Sequence, residues 1–342
     1  MAAGGGLEVF LHAFPLPKHS VEVAETAEAE GWDGLLLADS QNLQADVYVE
    51  LALAARATER LRLGPGVTNP LTRHPAVTAS AIGTLQVESG GRAVLGISRG
   101  DSAVTFVGLA PAPVPVLEAY LQRLQTYLRG ETEDAGGFAS RIEWLKDYGQ
   151  PKVPVDVAAT GPRTIAAAAR WADRITFSLG ADPDRIGWAI GIATESSRAA
   201  GRDLPSLGAF VIVAPDRDIA AARDAVRANV GIFAHFFRTQ PTLDRLSDAD
   251  RHTASEVNES YEAAQHGLSS AAHTAVVDDG FVDRFAVVGP AERCVTRLRE
   301  LLDRGLAHLV VVGASKDIDP RHAGRVRRAI AEDVVPALKT TP

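Results

Sequence analysis

The chain has 342 residues, of which 46% are hydrophobic and 23% are charged, a composition typical of a folded globular protein rather than a disordered one. Its net charge of −8 and the lack of a dense basic run exclude general nucleic-acid binding. The single cysteine, Cys294, excludes an internal disulfide framework.

The start of the chain, Met1–Gly6, lacks the basic residues and apolar core of a secretory signal peptide. No segment approaches the roughly 18 consecutive apolar residues that a membrane-spanning helix requires. Together with the lone cysteine, these features lead us to expect a cytoplasmic protein.

Short apolar runs alternate with amphipathic helical stretches along the whole chain, which is the pattern of parallel strands joined by crossover helices. The runs are Leu7–His12, Gly34–Ala38, Arg62–Thr68, Arg92–Ile97, Val153–Ala158, Arg174–Ser178, Leu207–Val213 and His308–Val312. Eight such units indicate an α/β protein with a closed (β/α)8 TIM barrel rather than an open doubly wound sheet. No linker or repeat divides the chain, so we expect one domain over residues 1–342.

The spacing of the units is uneven, and three segments are longer than a barrel connection needs. They are Ser40–Asp46, Glu131–Pro151 and the stretch 235–283, and a further helix, Ala291–Arg304, follows the last of them. We expect these insertions at the C-terminal face of the barrel, where loops build the site. Their aromatic residues either form a lid over a ligand or pack on the barrel, and these residues are Phe138, Trp144, Phe236, Phe237 and Tyr261.

The segment 155–164, VDVAATGPRT, predicts a strand that opens directly into a helix. Thr160 and Gly161 allow a ligand to approach the backbone closely, and Pro162 suits the first helical turn. The free N–H groups and the positive end of such a helix favour a phosphate. The alternative is a tight turn between strand and helix without a ligand.

Polar residues follow three other predicted strands, at Asp39-Ser40, at Thr68-Asn69 and along 98–102, SRGDS. Because the carboxyl ends of all barrel strands meet at one face, we expect these side chains to converge on one site. Polar residues also occur wherever a strand reaches solvent, so no single one of them is decisive.

Taken together, 66–70 (GVTNP), 96–102 (GISRGDS) and 158–162 (AATGP) resemble the luciferase-like (β/α)8 oxidoreductases. Within that family, the chain is most similar to the branch that uses the deazaflavin coenzyme F420, whose reference member is methylenetetrahydromethanopterin reductase. The resemblance extends from Leu7 to about Leu338. It implies a hydride-transferring enzyme that binds F420 and acts on a small organic substrate.

The resemblance also implies roles for individual residues. The coenzyme ring would lie beside a non-prolyl cis peptide bond between Gly66 and Val67. Further coenzyme contacts would come from Asn69, Arg99 and Gly100, and the phosphate would be received by Ala159, Thr160, Gly161, Arg163 and Thr164. Asp39 would hydrogen-bond the coenzyme, and Asp101 would handle a proton if burial raises its pKa. Helix capping or a turn is the structural alternative for both aspartates.

One position departs from the related sugar-phosphate and alcohol dehydrogenases, which have a histidine where this chain has Ser40. The departure favours a reductase of a C=C, C=N or C=O group over a dehydrogenase of simple alcohols. His235, His252, His266 and His273 could replace the missing acid or base, although scattered surface histidines are the simpler interpretation. They form no metal-binding pattern on one helix face, so we expect no metal site.

Two other functions remain open at this stage. One is an FMN-dependent monooxygenase on the same barrel, and the other is a non-catalytic member of the fold that binds a ligand. The chain has no Walker A sequence and no convincing dinucleotide-binding fingerprint. We expect a homodimer that pairs through the helices around Asp46–Arg60 and Pro75–Glu88, whose apolar positions equally suit packing on the barrel.

Overall fold

The computed structural model of the protein describes residues 6–340, so the expectation about Met1–Gly6 largely lies outside the described residues. The strands are β1 Glu8–Ala13, β2 Gly34–Leu37, β3 Arg62–Pro65, β4 Leu95–Ile97, β5 Glu133–Asp134, β6 Ala139–Ser140, β7 Val155–Ala159, β8 Arg174–Phe177, β9 Ser206–Pro215, β10 Ala286–Gly289 and β11 His308–Val312.

The α-helices are α1 Ser20–Ala29, α2 Val47–Ala57, α3 Pro75–Glu88, α4 Ser102–Thr105, α5 Val114–Leu128, α6 Pro162–Trp171, α7 Pro183–Ala199, α8 Ile219–His235, α9 Gln240–Leu243, α10 Asp248–Ser260, α11 Ala272–Ala275, α12 Asp279–Phe285, α13 Ala291–Leu302, α14 Pro320–Ala329 and α15 Val335–Lys339. Two short 3-10 segments, Leu145–Tyr148 and Ala263–Gln265, and a π-helical turn, Ile330–Val334, complete the described structure. No helix within residues 6–340 is both long and apolar enough to cross a membrane.

Eight parallel strands form the barrel in the order β3-β2-β1-β11-β9-β8-β7-β4. The ring closes between β3 and β4 through two parallel bridges, Leu63 with Ala93 and Thr68 with Ile97. Each of the eight apolar runs in the sequence overlaps one of these strands, which confirms the predicted (β/α)8 barrel. The strands are buried on both faces, as expected where helices cover a parallel sheet.

Two elements differ from the sequence expectation. Strand β10 pairs in parallel with the second half of β9, from Ala286 opposite Ile212 to Gly289 opposite Pro215. A four-residue apolar run gives too little periodicity to separate a strand from the end of a helix, so it was not predicted. The hairpin of β5 and β6 is shorter still, because each of its strands has two residues.

A buried polar layer fills the barrel at the N-terminal ends of the strands. The Thr176 hydroxyl lies 2.8 Å from both carboxylate oxygens of Asp156 and 2.9 Å from Nε2 of His308. Arg174 pairs with Glu8 and lies 3.5 Å from Asp156. Glu8, Arg174 and His308 are the first residues of their strands, so the layer lies toward the opposite end of the barrel from the strand carboxyl ends.

The second insertion, Glu131–Pro151, connects helix α5 to strand β7 and therefore enters the barrel at the N-terminal ends of the strands. Trp144 and Leu145 lie beside Gly83 of α3, and Trp144 makes an edge contact with Tyr148. Phe138 is 73% exposed. The expectation that this insertion lies at the C-terminal face is wrong, because the insertion follows a helix and precedes a strand.

Candidate active site

A cavity of about 300 Å³ opens at the carboxyl ends of the strands. The residues of the sequence-derived site that line it are Asp39, Gly66, Val67, Asn69, Arg99, Gly100, Asp101, Thr160, Gly161 and Thr164. Ala159 is absent from the wall because its side chain is buried at the end of β7, and Arg163 is exposed on the first turn of α6. Ten residues from four strand ends therefore converge as expected.

The N-terminus of helix α6 faces this cavity. Gly161 is the N-cap and Pro162 occupies the first turn, while the first helical hydrogen bond joins the Ile165 N–H to the Gly161 carbonyl. The preceding N–H groups are therefore free for an anion. A Cβ at Gly161 would meet nothing within 4 Å, so there is open space at the helix end.

Positive charge is concentrated beside this helix end. Burial lowers the pKa of Arg99, and the nearby guanidinium groups of Arg238 and Arg163 lower it further. Arg99 donates from Nε to the Ala112 carbonyl and forms no salt bridge within residues 6–340. Three arginines near an open helix N-terminus suit a phosphate better than a neutral group.

The peptide bond between Gly66 and Val67 is cis, as expected from the sequence. His12 Nε2 lies 2.7 Å from the Gly66 carbonyl oxygen. A Cβ at Gly66 would lie 2.7 Å from Cβ of Leu36, so a larger residue does not fit there. Glycine is therefore required at this point of the cavity wall.

Asn69 presents an unpaired donor to the cavity. Its Oδ1 accepts hydrogen bonds from the N–H groups of Leu71 and Thr72, both at 3.0 Å, and from the Thr72 hydroxyl. Its Nδ2 is buried and has no partner among the described residues. Because an orphaned buried donor is costly, this amide fits a ligand with a hydrogen-bond acceptor.

Asp39 is 3% exposed and forms a 2.7 Å salt bridge with Arg73. Burial raises the pKa of Asp39, and the charge of Arg73 only partly opposes this. Helix α2 is capped instead by Asp46, whose carboxylate accepts from the Tyr48 and Val49 N–H groups. Asp39 therefore has no capping role and keeps its carboxyl at the cavity wall.

The pKa of Asp101 is lowered, whereas the role expected from the sequence required a raised one. Burial raises its pKa, but the hydrogen bond and charge of His235 and the charge of Arg238 outweigh burial, and the pKa is lowered. Its Oδ1 lies 2.9 Å from Nη2 of Arg238. The condition for proton transfer by Asp101, a raised pKa, is therefore not met. Its side chain also does not cap helix α4.

The comparisons with known proteins agree with this geometry. The sequence pattern of the luciferase-like monooxygenases matches residues 7–308. The chain belongs to the luciferase-like family. A 5,10-methylenetetrahydromethanopterin reductase from Archaeoglobus fulgidus is 30% identical over 328 residues, covering 92% of this chain and 93% of that protein. The corresponding protein from Methanolobus tindarius is 29% identical over 303 residues, covering 86% and 90%.

A solved structure carries the same fold. The coenzyme F420 dependent tetrahydromethanopterin reductase from Methanopyrus kandleri superposes with a TM-score of 0.78 at 24% identity. The superposition covers 98% of this chain and 100% of the other. This likeness agrees with the luciferase-like barrel described above.

In this luciferase-like barrel, Ser40 supplies no acid or base of the histidine type. Its hydroxyl lies 3.5 Å from that of Ser102. Of the four histidines considered as replacements, His252 is exposed, whereas His235 and His273 are buried and His266 lines the cavity. The expectation of scattered surface histidines is therefore wrong for three of the four.

One face of helix α8 forms a further wall of the luciferase-like site. The residues on it are Asn229, Ile232 and Phe233, together with Phe236, which caps the C-terminus of the helix. Their spacing of three and four residues is that of a single helical face, and this signal was available in the sequence. Among the proposed lid aromatics, Phe236 lies in this wall, whereas Phe237 is buried 5.4 Å from the ring of Phe285.

Other cavity residues had no signal in the sequence. They include His12 near the end of β1, Phe14 just after it, and Ser178 after β8. No group of three or more metal-binding side chains occurs in the described part of the chain.

Proposed function

We propose that this protein is an F420-dependent oxidoreductase that acts as a reductase on a small organic substrate with a C=C, C=N or C=O group. The observation that carries the proposal is the combination of an open helix N-terminus at Gly161 with the unpaired amide of Asn69 in one cavity. The similarity to a tetrahydromethanopterin reductase that is described as coenzyme F420 dependent supports the choice of coenzyme.

The residues present fit such a coenzyme. The N–H groups of the first turn of α6 and the nearby arginines would hold its phosphate. Gly66 and Val67 would lie against its ring, and the Asn69 amide would donate to an acceptor on it. The bound coenzyme supplies the hydride, and the protein supplies orientation and exclusion of water.

The two aspartates then have different roles. Asp39, held by Arg73 and with a raised pKa, would hydrogen-bond the coenzyme. Asp101, ionised and paired with Arg238, would position the third insertion against the loop after β4. Asp101 is therefore a positioning residue in this proposal rather than a proton donor.

An FMN-dependent monooxygenase is the second candidate, and it is favoured by the match to the luciferase-like monooxygenases. A flavin reacts readily with oxygen when reduced, whereas a deazaflavin does not. The experiment is to mix the protein with chemically reduced F420 and a panel of enones, imines and ketones without oxygen. Reoxidation that depends on protein and acceptor supports the reductase, and turnover only with reduced FMN and oxygen supports the monooxygenase. No turnover with either would favour a non-catalytic ligand-binding protein.

We further propose that the protein forms a homodimer through helices α2 and α3. These helices expose Val49, Leu53 and Val77, at 58%, 49% and 55%. Exposed aliphatic residues on adjacent helices are typical of an interface. Light scattering after size-exclusion chromatography should give twice the chain mass, and Leu53→Asp should give the chain mass alone.

A further inference from the structure

His266 stands out because it lines the cavity but takes part in none of the coenzyme contacts proposed above. It follows the short 3-10 turn Ala263–Gln265 in the third insertion. Its Nδ1 is hydrogen-bonded to the hydroxyl of Tyr261. Its Nε2 has no hydrogen bond within the described residues.

Tyr261 is held firmly by two other histidines. Its ring stacks on that of His235 at 3.6 Å with an interplanar angle of 6°. The ring centroid of His273, which is fully buried, lies 4.5 Å from that of Tyr261. Because the phenol is fixed in this way, the hydrogen bond to His266 has a fixed direction.

The protonation states follow from the surroundings. Burial raises the pKa of Tyr261, and the charge of Asp101 raises it further, so the phenol keeps its proton. Burial lowers the pKa of His266 to about 4, with further lowering by Lys316, His235 and His273 and opposition from Asp101. At neutral pH the phenol is therefore the donor and Nδ1 the acceptor, which places the ring proton on Nε2.

We propose that His266, through its Nε2–H, is the hydrogen-bond donor that recognises the oxygen or nitrogen acceptor of the substrate. This inference rests on the proposed function. Tyr261 is the positioning residue, since it acts through His266 by fixing the tautomer. A neutral imidazole is a strong donor without the desolvation cost of a buried cation.

The substrate class follows from the wall of the cavity that also contains His266. Helix α8 and its C-cap contribute Ile232, Phe233 and Phe236 to it, and Phe14, just after β1, contributes a further ring. These are aliphatic and aromatic surfaces, and Asp101 is already paired with Arg238. The structure thus assigns an apolar or aromatic molecule with a carbonyl or imine group, rather than an isolated alkene or a polyhydroxylated sugar.

The tautomer is tested first, without coenzyme, by long-range proton–nitrogen NMR of protein labelled with ¹⁵N-histidine. The His266 signals are identified by their absence from the spectrum of His266→Gln. We expect a neutral ring with the proton on Nε2 at neutral pH, and a mixture of tautomers in Tyr261→Phe. A proton on Nδ1, or an imidazolium at neutral pH, would overturn the proposal.

Substrate recognition is tested next with acetophenone labelled at the carbonyl carbon, added to the protein loaded with F420. A hydrogen bond to the carbonyl moves its ¹³C resonance downfield. We expect a saturable downfield shift in the wild type and in His266→Gln, which keeps a donor, and about tenfold weaker binding without the shift in His266→Leu. The exposed His252→Gln is the matched control and should behave as the wild type.

No saturable binding, or an equal shift in His266→Leu, would overturn the assignment. The affinity of each variant for F420 is measured in parallel and should be unchanged. Failure of the wild type to bind F420 would refute the proposed function, whereas the tautomer measurement would still stand alone. The two failures are therefore distinguishable.

Discussion

The carboxylate of Asp101, in the loop after β4, lies 2.9 Å from the guanidinium of Arg238, which follows helix α8. The two residues are 137 positions apart in the chain. His235 approaches the same oxygen at 3.6 Å. The Asp101 carboxylate at the cavity wall therefore links the third insertion to the loop after β4.

The pair between Asp101 and Arg238 should contribute measurably to stability. We expect Asp101→Asn and Arg238→Gln each to lower the free energy of unfolding by about 1 kcal/mol, because Arg238 is partly exposed and solvent screens the pair. In urea unfolding, the double variant should lose less stability than the sum of the losses in the two single variants. Strict additivity would show that the contact is not formed in solution.

The Asn69 amide should act on coenzyme affinity rather than on folding. Asn69→Asp keeps the Oδ1 acceptor for Leu71 and Thr72 but loses the Nδ2 donor, so we expect the Kd for F420 to rise about tenfold or more. Asn42→Asp is the control, because the Asn42 amide donates to the Phe106 carbonyl and does not line the cavity. Equal affinity in Asn69→Asp and the wild type would refute this contact.

The polar layer at the other end of the barrel should matter for stability alone. Asp156→Asn removes a buried charge that faces Thr176, His308 and Arg174, so we expect a loss of about 3 kcal/mol in the free energy of unfolding. The Kd for F420 should stay within error, since the layer is at the opposite end of the barrel. A stability loss as small as that of the exposed Glu131→Gln would contradict the burial of this network.

Stability should fall as the solution becomes acidic. Burial lowers the pKa of His12, His266, His273 and His308 below the ordinary value of 6.5. Below that pH the unfolded chain binds protons that the folded chain does not. Each such histidine then lowers the free energy of unfolding by up to about 1.4 kcal/mol per pH unit. This continues until the pH reaches the pKa of that histidine in the folded protein, which for His266 is about 4.

The measurement is urea unfolding at about pH 7.5 and about pH 5.5, where carboxylates contribute little. The wild type should be less stable at the lower pH. His266→Gln should show a smaller difference between the two conditions, whereas His252→Gln should match the wild type. A stability independent of pH over this interval would show that these histidines are protonated in the folded state.

The fold and part of the site were accessible from the sequence because they depend on local patterns. Eight apolar runs predicted eight barrel strands, and the residues after β2, β3, β4 and β7 were expected at one face because parallel strands end together. The cis bond at Gly66 was expected from the family resemblance. These inferences require no knowledge of which side chains meet.

The parts that were missed depend on distant contacts. The lowered pKa of Asp101 comes from His235 and Arg238, more than 130 positions away. The stack of His235 on Tyr261 and the position of His266 are set by how the third insertion folds over the barrel, and no periodicity in the sequence reports this. The second insertion was misplaced because helix α5 was not located before it.

The most direct test of the account is titration of the purified protein with F420 and, separately, with FMN, followed by fluorescence quenching. We predict a Kd for F420 that is micromolar or tighter and no comparable binding of FMN. Gly161→Ala should bind normally because open space surrounds Gly161, whereas Gly161→Asp should lose binding by placing a negative charge at the phosphate position. Preferential binding of FMN, binding of neither, or full affinity in Gly161→Asp would contradict the account.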